Sequence, residues 1–280
     1  MKQNMKEQLL TKTPLSLMFQ LSIPAVIGML VIGLYPLMDG IFAGNIIGQN
    51  AMTACGVALP LTFLNSGTST LLGVGSASIL SRALGKGDKE TVDKIMGNLI
   101  YWVILFSVII TVGGIFLAPH FLDLMGAEGE IKELGVRYLR VLFLGSIFVN
   151  FTQSANMVMR GEGLMKRAMG IMALGAFINI ALDPIFMKAM GKYAIEGAAI
   201  ATVIAQVIQA MVTLYYFKNK SENVKIGRIC KQKEIYEEMF GVGVSAMIMQ
   251  VFFMIQQTLL YKQAFAYGGE YRRNINGSYP

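Results

Sequence analysis

The sequence predicts an all-α, polytopic membrane protein, with a six-helix amino-terminal lobe followed by a seventh transmembrane helix. Of its 280 residues, 54% are hydrophobic and only 15% are charged, with a mean hydropathy of +0.55; a soluble domain carries about 25% charged residues. The apolar residues gather in runs near the roughly 20 residues a spanning helix needs. They lack the period-two alternation of a barrel strand. Basic residues crowd every second connection, which is the asymmetry that orients spanning helices.

The runs cover residues 15–43, 53–81, 95–118, 139–159, 168–187, 197–217 and 239–261. The fourth begins earlier, near Ile131, with Arg137 and Arg140 in its first turns. Lys2, Lys6 and Lys12 precede the first run, Arg82, Lys86, Lys89 and Lys94 follow the second, and Arg160, Lys166 and Arg167 follow the fourth. Lys218, Lys220, Lys225, Arg228, Lys231 and Lys233 follow the sixth. The alternate connections are uncharged from Asn45 to Met52, acidic at Asp123, Glu128, Glu130 and Glu133, or nearly balanced at Lys188, Lys192 and Glu196. The amino terminus is therefore expected in the cytoplasm.

The net charge of +7 and the isoelectric point near 9.3 follow from this one-sided excess, so no nucleic acid partner is implied. The first apolar run is too long for the core of a signal peptide, and no cleavage is expected. Cys55 and Cys230 fall on opposite sides, which excludes a disulfide between them and a metal cluster built on both. The Gly-Lys-Gly around Lys86 lacks the spacing of a phosphate loop and reads as a helix C-cap. Gly40, Gly44 and Gly48 read as close-packing positions. Most of the 20 methionines read as packing, although residues such as Met29, Met157, Met172, Met187, Met247 and Met254 suit an adaptable cavity. His120 reads as a lone residue of the outer connection.

Two acids stand out. Asp39 is the only charged residue between Lys12 and Arg82, and Asp183 stands alone between Arg167 and Lys188. A carboxylate in lipid costs roughly 3 kcal/mol or more, so isolated acids at membrane depth point to ion or proton handling. At 1.5 Å per residue, Asp39 and Asp183 lie at similar depth near the outer ends of the first and fifth helices. Asn179 shares the face of Asp183 one turn deeper, and Thr202 and Tyr138 reach the same level from the sixth and fourth helices. Pro36 and Pro184 would kink the helices that bear the acids and release the carbonyls of Ile32 and Ile180. The donor set is all oxygen, which suits Na⁺ or a proton rather than a soft metal.

Five segments in order carry a resemblance: Met38 to Gly44 (MDGIFAG), Arg82 to Asp88 (RALGKGD), Arg160 to Gly163 (RGEG), Asn179 to Pro184 (NIALDP) and Gly197 to Thr202 (GAAIAT). Together, over about residues 15–269, they resemble the multidrug and toxic compound extrusion (MATE) family, in its prokaryotic DinF-like branch and its MepA-like bacterial efflux group. The resemblance implies a secondary active transporter of the bacterial plasma membrane rather than an enzyme. Such a protein is a Na⁺- or H⁺-coupled antiporter that exports lipophilic, often cationic, drugs, a xenobiotic-transport and antibiotic-resistance function. No cofactor beyond the coupling ion is implied. The family's coupling acids match Asp39 and Asp183, its amide Asn179, its hydroxyl Thr202 and its phenol Tyr138. Na⁺ would be held at Asp39, Asn179, Asp183 and Thr202.

The family fold pairs two six-helix lobes. Residues 1–217 correspond to the first lobe, 218–238 to a basic cytoplasmic linker, 239–269 to the first helix of an incomplete second lobe and 270–280 to an atypical polar tail. The chain is expected to be a truncated form that lacks its second lobe. Membrane lipid and small-molecule drugs are the expected partners. A flippase for a lipid-linked precursor, an intramembrane enzyme and an inactive fragment are the alternatives. The helix interiors carry acids rather than the cations a diphosphate would need, and Gly-x-Gly-Asp, the motif of an intramembrane aspartyl protease, is absent. Two buried carboxylates cannot both stay ionised without compensation. Each charge moving inward gains about 2.3 kcal/mol per 100 mV, which could drive exchange against a cationic drug.

Overall fold

The computed structural model describes residues 13–221, 223–227 and 233–276. Side chains at a few of these positions, Pro36 among them, and all those beyond Tyr267 lie outside the description. All regular structure among the described residues is helical: α1 (Pro14–Ile46), α2 (Gln49–Lys86), α3 (Lys89–Leu124), α4 (Gly129–Leu144), α5 (Ser146–Gly161), α6 (Met165–Met190), α7 (Ala194–Asn219) and α8 (Lys233–Asn276), with a 3₁₀ turn at Gly191–Tyr193 before α7. Alpha helices satisfy their own backbone polar groups, which is what a lipid environment demands.

Local chemistry sets the helix ends. Pro14 opens α1, where its missing N–H costs nothing. Gly87 closes α2 in the left-handed conformation at φ 74°, donating to the carbonyls of Ala83 and Leu84. The Gly-Lys-Gly motif is thus a C-cap. Asp88 then caps α3, accepting from the Thr91 backbone N–H at 3.1 Å and from the Thr91 hydroxyl at 2.6 Å. Pro184 lies inside α6, and α1 runs through position 36.

Helix α2 is the hub, packing on α1, α3, α4, α5 and α8; α6 and α7 lie side by side, with α1 across α6 and α7 against α4 and α5. Two apolar cores are stacked along the bundle. One lies around Leu122, Leu139, Phe143 and Met187, and the other around Leu72, Leu99, Met159 and Phe217. Gln49–Lys86, Lys89–Leu124, Met165–Asn219 and Ile235–Tyr267 are apolar and long enough to cross a membrane, and the α4–α5 pair is a further, broken span. Met165–Asn219 itself holds the antiparallel pair α6 and α7. Only 11% of the apolar window of α8 is buried, so its large side chains, such as Phe252 and Leu259, face outward. The chain is a multi-pass membrane protein.

Several expectations need correction. The fourth run is not one straight helix: α4 and α5 meet at Gly145 with a bend of 59°. His120 lies within α3, not in a connection. Of the three packing glycines, only Gly44 faces a close neighbour, Met52; an added Cβ at Gly40 meets nothing within 4 Å, and Gly48 sits in the turn before α2 at φ 139°. The seventh run, 239–261, is the middle of a longer helix, since α8 spans Lys233–Asn276. Cys230, Arg228 and Lys231 lie outside the described residues.

Candidate functional site

Four helices bring five polar side chains together among apolar ones. Asp39 comes from α1, Tyr138 from α4, Asn179 and Asp183 from α6, and Thr202 from α7; all are 5% exposed or less. The one-turn spacing on α6 lets the Asn179 amide donate to Asp183 Oδ1 at 2.9 Å. Its second hydrogen goes to Thr202 Oγ1 at 3.0 Å, tying α6 to α7. Tyr138 Oη donates to Asp39 Oδ2 at 3.0 Å. Thr202 has one proton to give, and two acceptors lie in reach: its own α7 carbonyl at Ala198, 3.1 Å away, and Asp39 Oδ2 at 3.4 Å.

The donors run out before the acceptors do. Asn179 spends both amide hydrogens, and Tyr138 and Thr202 have one each. Asp39 Oδ1, Asp183 Oδ2 and Asn179 Oδ1 receive none and are buried. The two carboxyl groups are linked through the Asn179 amide and the Thr202 hydroxyl. Neither acid has an ion-pair partner among the described residues, and a proton or a small hard cation can neutralise such a pair. Buried oxygens without donors are rare in folded proteins, so three of them beside two carboxyl groups single out this cluster.

Neighbouring contacts frame the cluster. On the acidic side, the Arg137 guanidinium donates to both oxygens of Glu196, Nε at 2.5 Å and Nη2 at 2.8 Å, and Nη2 also to the Lys192 carbonyl at 3.1 Å. Arg137 thus clamps α4 to α7 rather than lining a central cavity. On the other side, a small cavity of about 50 Å³ opens among Thr152, Gln153, Met172, Asn179, Thr202 and Gln206. Thr152 Oγ1 and Gln206 Oε1 lack partners there, as Asn179 Oδ1 does. Gln209 bridges to the α6 carbonyls of Ile171 and Met172 at 3.2 and 3.1 Å. Sequence reading missed these neutral polar residues; the signal lay in their recurrence on α7 at positions 202, 206 and 209.

All five residues expected at the site, Asp39, Tyr138, Asn179, Asp183 and Thr202, meet in one place. Of the two prolines expected to kink their helices, Pro184 adjoins Asp183 in α6, and the side chain of Pro36 lies outside the described residues. Among the described residues, no group of three or more His, Cys, Asp or Glu could hold a metal. Any ion here would rest on two carboxylates aided by neutral oxygens.

Comparison with known proteins gives consistent findings. The MatE family model matches residues 24–185. The multidrug export protein MepA of Staphylococcus saprophyticus is 28% identical over 253 residues, covering 90% of this chain and 56% of that protein. The crystal structure of a MATE in the bent conformation superposes with a TM-score of 0.84 at 33% identity, over 96% of this chain and 60% of that one. The inward-facing structure of a multidrug resistance MATE family transporter of the MOP superfamily gives a TM-score of 0.81 at 33% identity, over 90% of this chain and 58% of that one. The chain spans about half the length of the curated relatives it matches.

Proposed function

The chain belongs to the MatE family, and from that premise we propose that it serves cation-coupled efflux of lipophilic, often cationic, compounds, as a secondary active transporter and not an enzyme. The observation that carries the reading is the buried pair Asp39 and Asp183 with three oxygens that receive no donor. Either Na⁺ or H⁺ would complete it, and Asp39, Asn179, Asp183 and Thr202 would hold the ion, with Tyr138 fixing the Asp39 carboxyl. Charged, the pair repels itself across the α1–α6 contact; neutralised, it lets the two helices close. Cation occupancy is thereby linked to the packing of α1, and alternate packing is what an exchanger needs.

The same reading puts the chain in a bacterial plasma membrane with its amino terminus in the cytoplasm. It takes residues 1–217 as the amino-terminal lobe, 218–238 as the linker, 239–269 as the first helix of a second lobe and 270–280 as a tail. Small-molecule drugs and membrane lipid are its partners. The multidrug export described for MepA supports this reading, as does the clustering of charge by side: Arg82, Lys86, Lys166, Arg167 and Lys220 at one end, Glu128, Glu130 and Glu196 at the other.

Everted vesicles carrying the chain provide the test. A lipophilic cation added under an imposed proton or sodium gradient should discharge one of the two, read with a pH dye and a Na⁺ dye in parallel. Neither gradient responding to any such drug would sink the coupling. Single cysteines at Asn50 and Glu128 should label from outside, and those at Lys89, Glu162 and Lys225 only after permeabilisation; the reverse pattern would overturn the orientation.

A further inference from the structure

A second cavity lies away from the carboxyl cluster, in the groove between α6 and α7 at the basic end of the bundle. It measures about 540 Å³ and is lined by Arg167, Gly170, Ile171 and Leu174 of α6 with Val212 and Tyr215 of α7, and by Lys220 beyond. Arg167 lies in the first turn of α6, and Lys220 caps the end of its antiparallel neighbour α7. The two cations therefore sit on one rim, and the wall beneath them is apolar.

Both cations are held by aromatic rings. The Arg167 guanidinium lies 5.4 Å from the Tyr216 ring centre, and its Nη1 donates to the Tyr216 hydroxyl at 2.9 Å. The Lys220 ammonium lies 5.8 Å from the Tyr215 ring. Neither is ion-paired with a carboxylate among the described residues. A ring positions a cation over its face without neutralising it, and a guanidinium with one donor engaged keeps four for an anion. Below the rim, a Cβ added at Gly170 would meet nothing within 4 Å, so the missing side chain leaves a hollow. Leu174 and Tyr215 are 41% and 56% exposed, so the groove opens sideways into the bilayer.

Charge at the rim and hydrocarbon along the wall match an amphiphile with an anionic head, and basic pockets between spanning helices are a recurrent form of lipid headgroup site. We propose that this groove binds an anionic phospholipid, its phosphate at Arg167 and Lys220 and its glycerol and upper acyl carbons over Gly170, Leu174 and Val212. A free phosphate would satisfy the rim and leave the wall unused. The lipid would bridge the two helices that carry Asn179, Asp183 and Thr202, at their opposite end.

The purified chain in neutral detergent can be offered phosphatidylglycerol, phosphatidylcholine with the same acyl chains, or glycerol 3-phosphate, with retained ligand counted by native mass spectrometry. Phosphatidylglycerol should be retained in preference to phosphatidylcholine. Arg167→Gln with Lys220→Gln should weaken its retention about twenty-five-fold, from roughly fivefold for each basic residue. Gly170→Leu, which fills the hollow without altering charge, should also reduce it, and Arg167→Lys should preserve most of it. Equal retention of the two lipids, or no loss in either the double variant or Gly170→Leu, would overturn the proposal. So would displacement of phosphatidylglycerol by an equal concentration of glycerol 3-phosphate, which would mark a chainless phosphate site. Should the double variant fail to fold, Gly170→Leu against Arg167→Lys decides the question.

Discussion

Two buried polar clusters lie in this bundle, and they are built on opposite principles. One joins α2, α3 and α5: Asn150 accepts from Ser69 at 2.8 Å and donates to Ser107 at 2.9 Å and to Asn65 at 3.2 Å, while Ser154 donates to the Ser69 carbonyl at 3.0 Å. No buried oxygen or nitrogen of these five side chains lacks a partner. The other joins α1, α4, α6 and α7, carries two carboxyl groups and leaves three oxygens without donors. A closed neutral network fixes helix positions and asks for nothing more. An open one that carries two carboxyl groups costs stability that a proton or a bound cation offsets, so the second is the candidate for function.

The contrast breaks most sharply at the acids. Asp39→Asn and Asp183→Asn should each reduce drug-linked cation flux to background while leaving thermal stability unchanged or raised, because an amide keeps the volume and removes a buried charge. Undiminished flux at equal expression would place the acids with the structural cluster. Next in size is Asn150→Leu, which strands the Ser107 hydroxyl and the Asn65 side-chain oxygen and leaves Ser69 only its bond to the Asn65 backbone carbonyl. Interhelical hydrogen bonds in membranes average about 0.6 kcal/mol and reach about 1.7, so its three bonds predict a loss of about 2 kcal/mol by reversible denaturation. Ion affinity should stay as it was; a change in affinity larger than the change in stability would merge the two clusters.

Thr202→Val should weaken the coupling ion about tenfold, the worth of one ligand or hydrogen bond in a buried site, with little change in melting temperature. The smallest effect concerns Asp88, an exposed carboxylate that serves as a control for the buried ones. Its hydrogen bonds from Thr91 hold its pKa below the ordinary value of 3.8. The cap's contribution is therefore present in full above that value and fades as pH falls through the depressed one. Asp88→Ala should lower the melting temperature at pH 6 and make a smaller difference at pH 2.5. An equal difference at both would remove the charge from the cap.

The charged cluster was legible in the sequence because charge is rare in apolar runs. Asp39 and Asp183 announce themselves by isolation, the spacing from 179 to 183 puts Asn179 on the same face, and counting 1.5 Å per residue brings Thr202 and Tyr138 to the same depth. The neutral network was not legible. Asn150 and Ser69 barely lower the hydropathy of their runs, and only packing reveals that they meet. The bend at Gly145 escaped as well, since no proline marks it. There an added Cβ would lie 2.7 Å from Val203 Cγ2, so the glycine admits the close approach of α7, and the Gly145-Ser146 pair is a local kink signal weaker than proline. Helices also outrun their apolar cores, as α8 does, because hydropathy reports the bilayer and capping chemistry sets the ends.

That break has a further consequence. The Tyr138 that holds Asp39 lies on α4, before Gly145, and the Asn150 that anchors the neutral network lies on α5, after it. A continuous helix would transmit any rotation at Tyr138 directly to Asn150. A joint at 59° separates their tolerances, as a universal coupling does between two shafts, so the residues around the acids can drift or be re-engineered without retuning the scaffold. Paired substitutions among homologues would then cluster on one side of position 145 or the other and seldom straddle it.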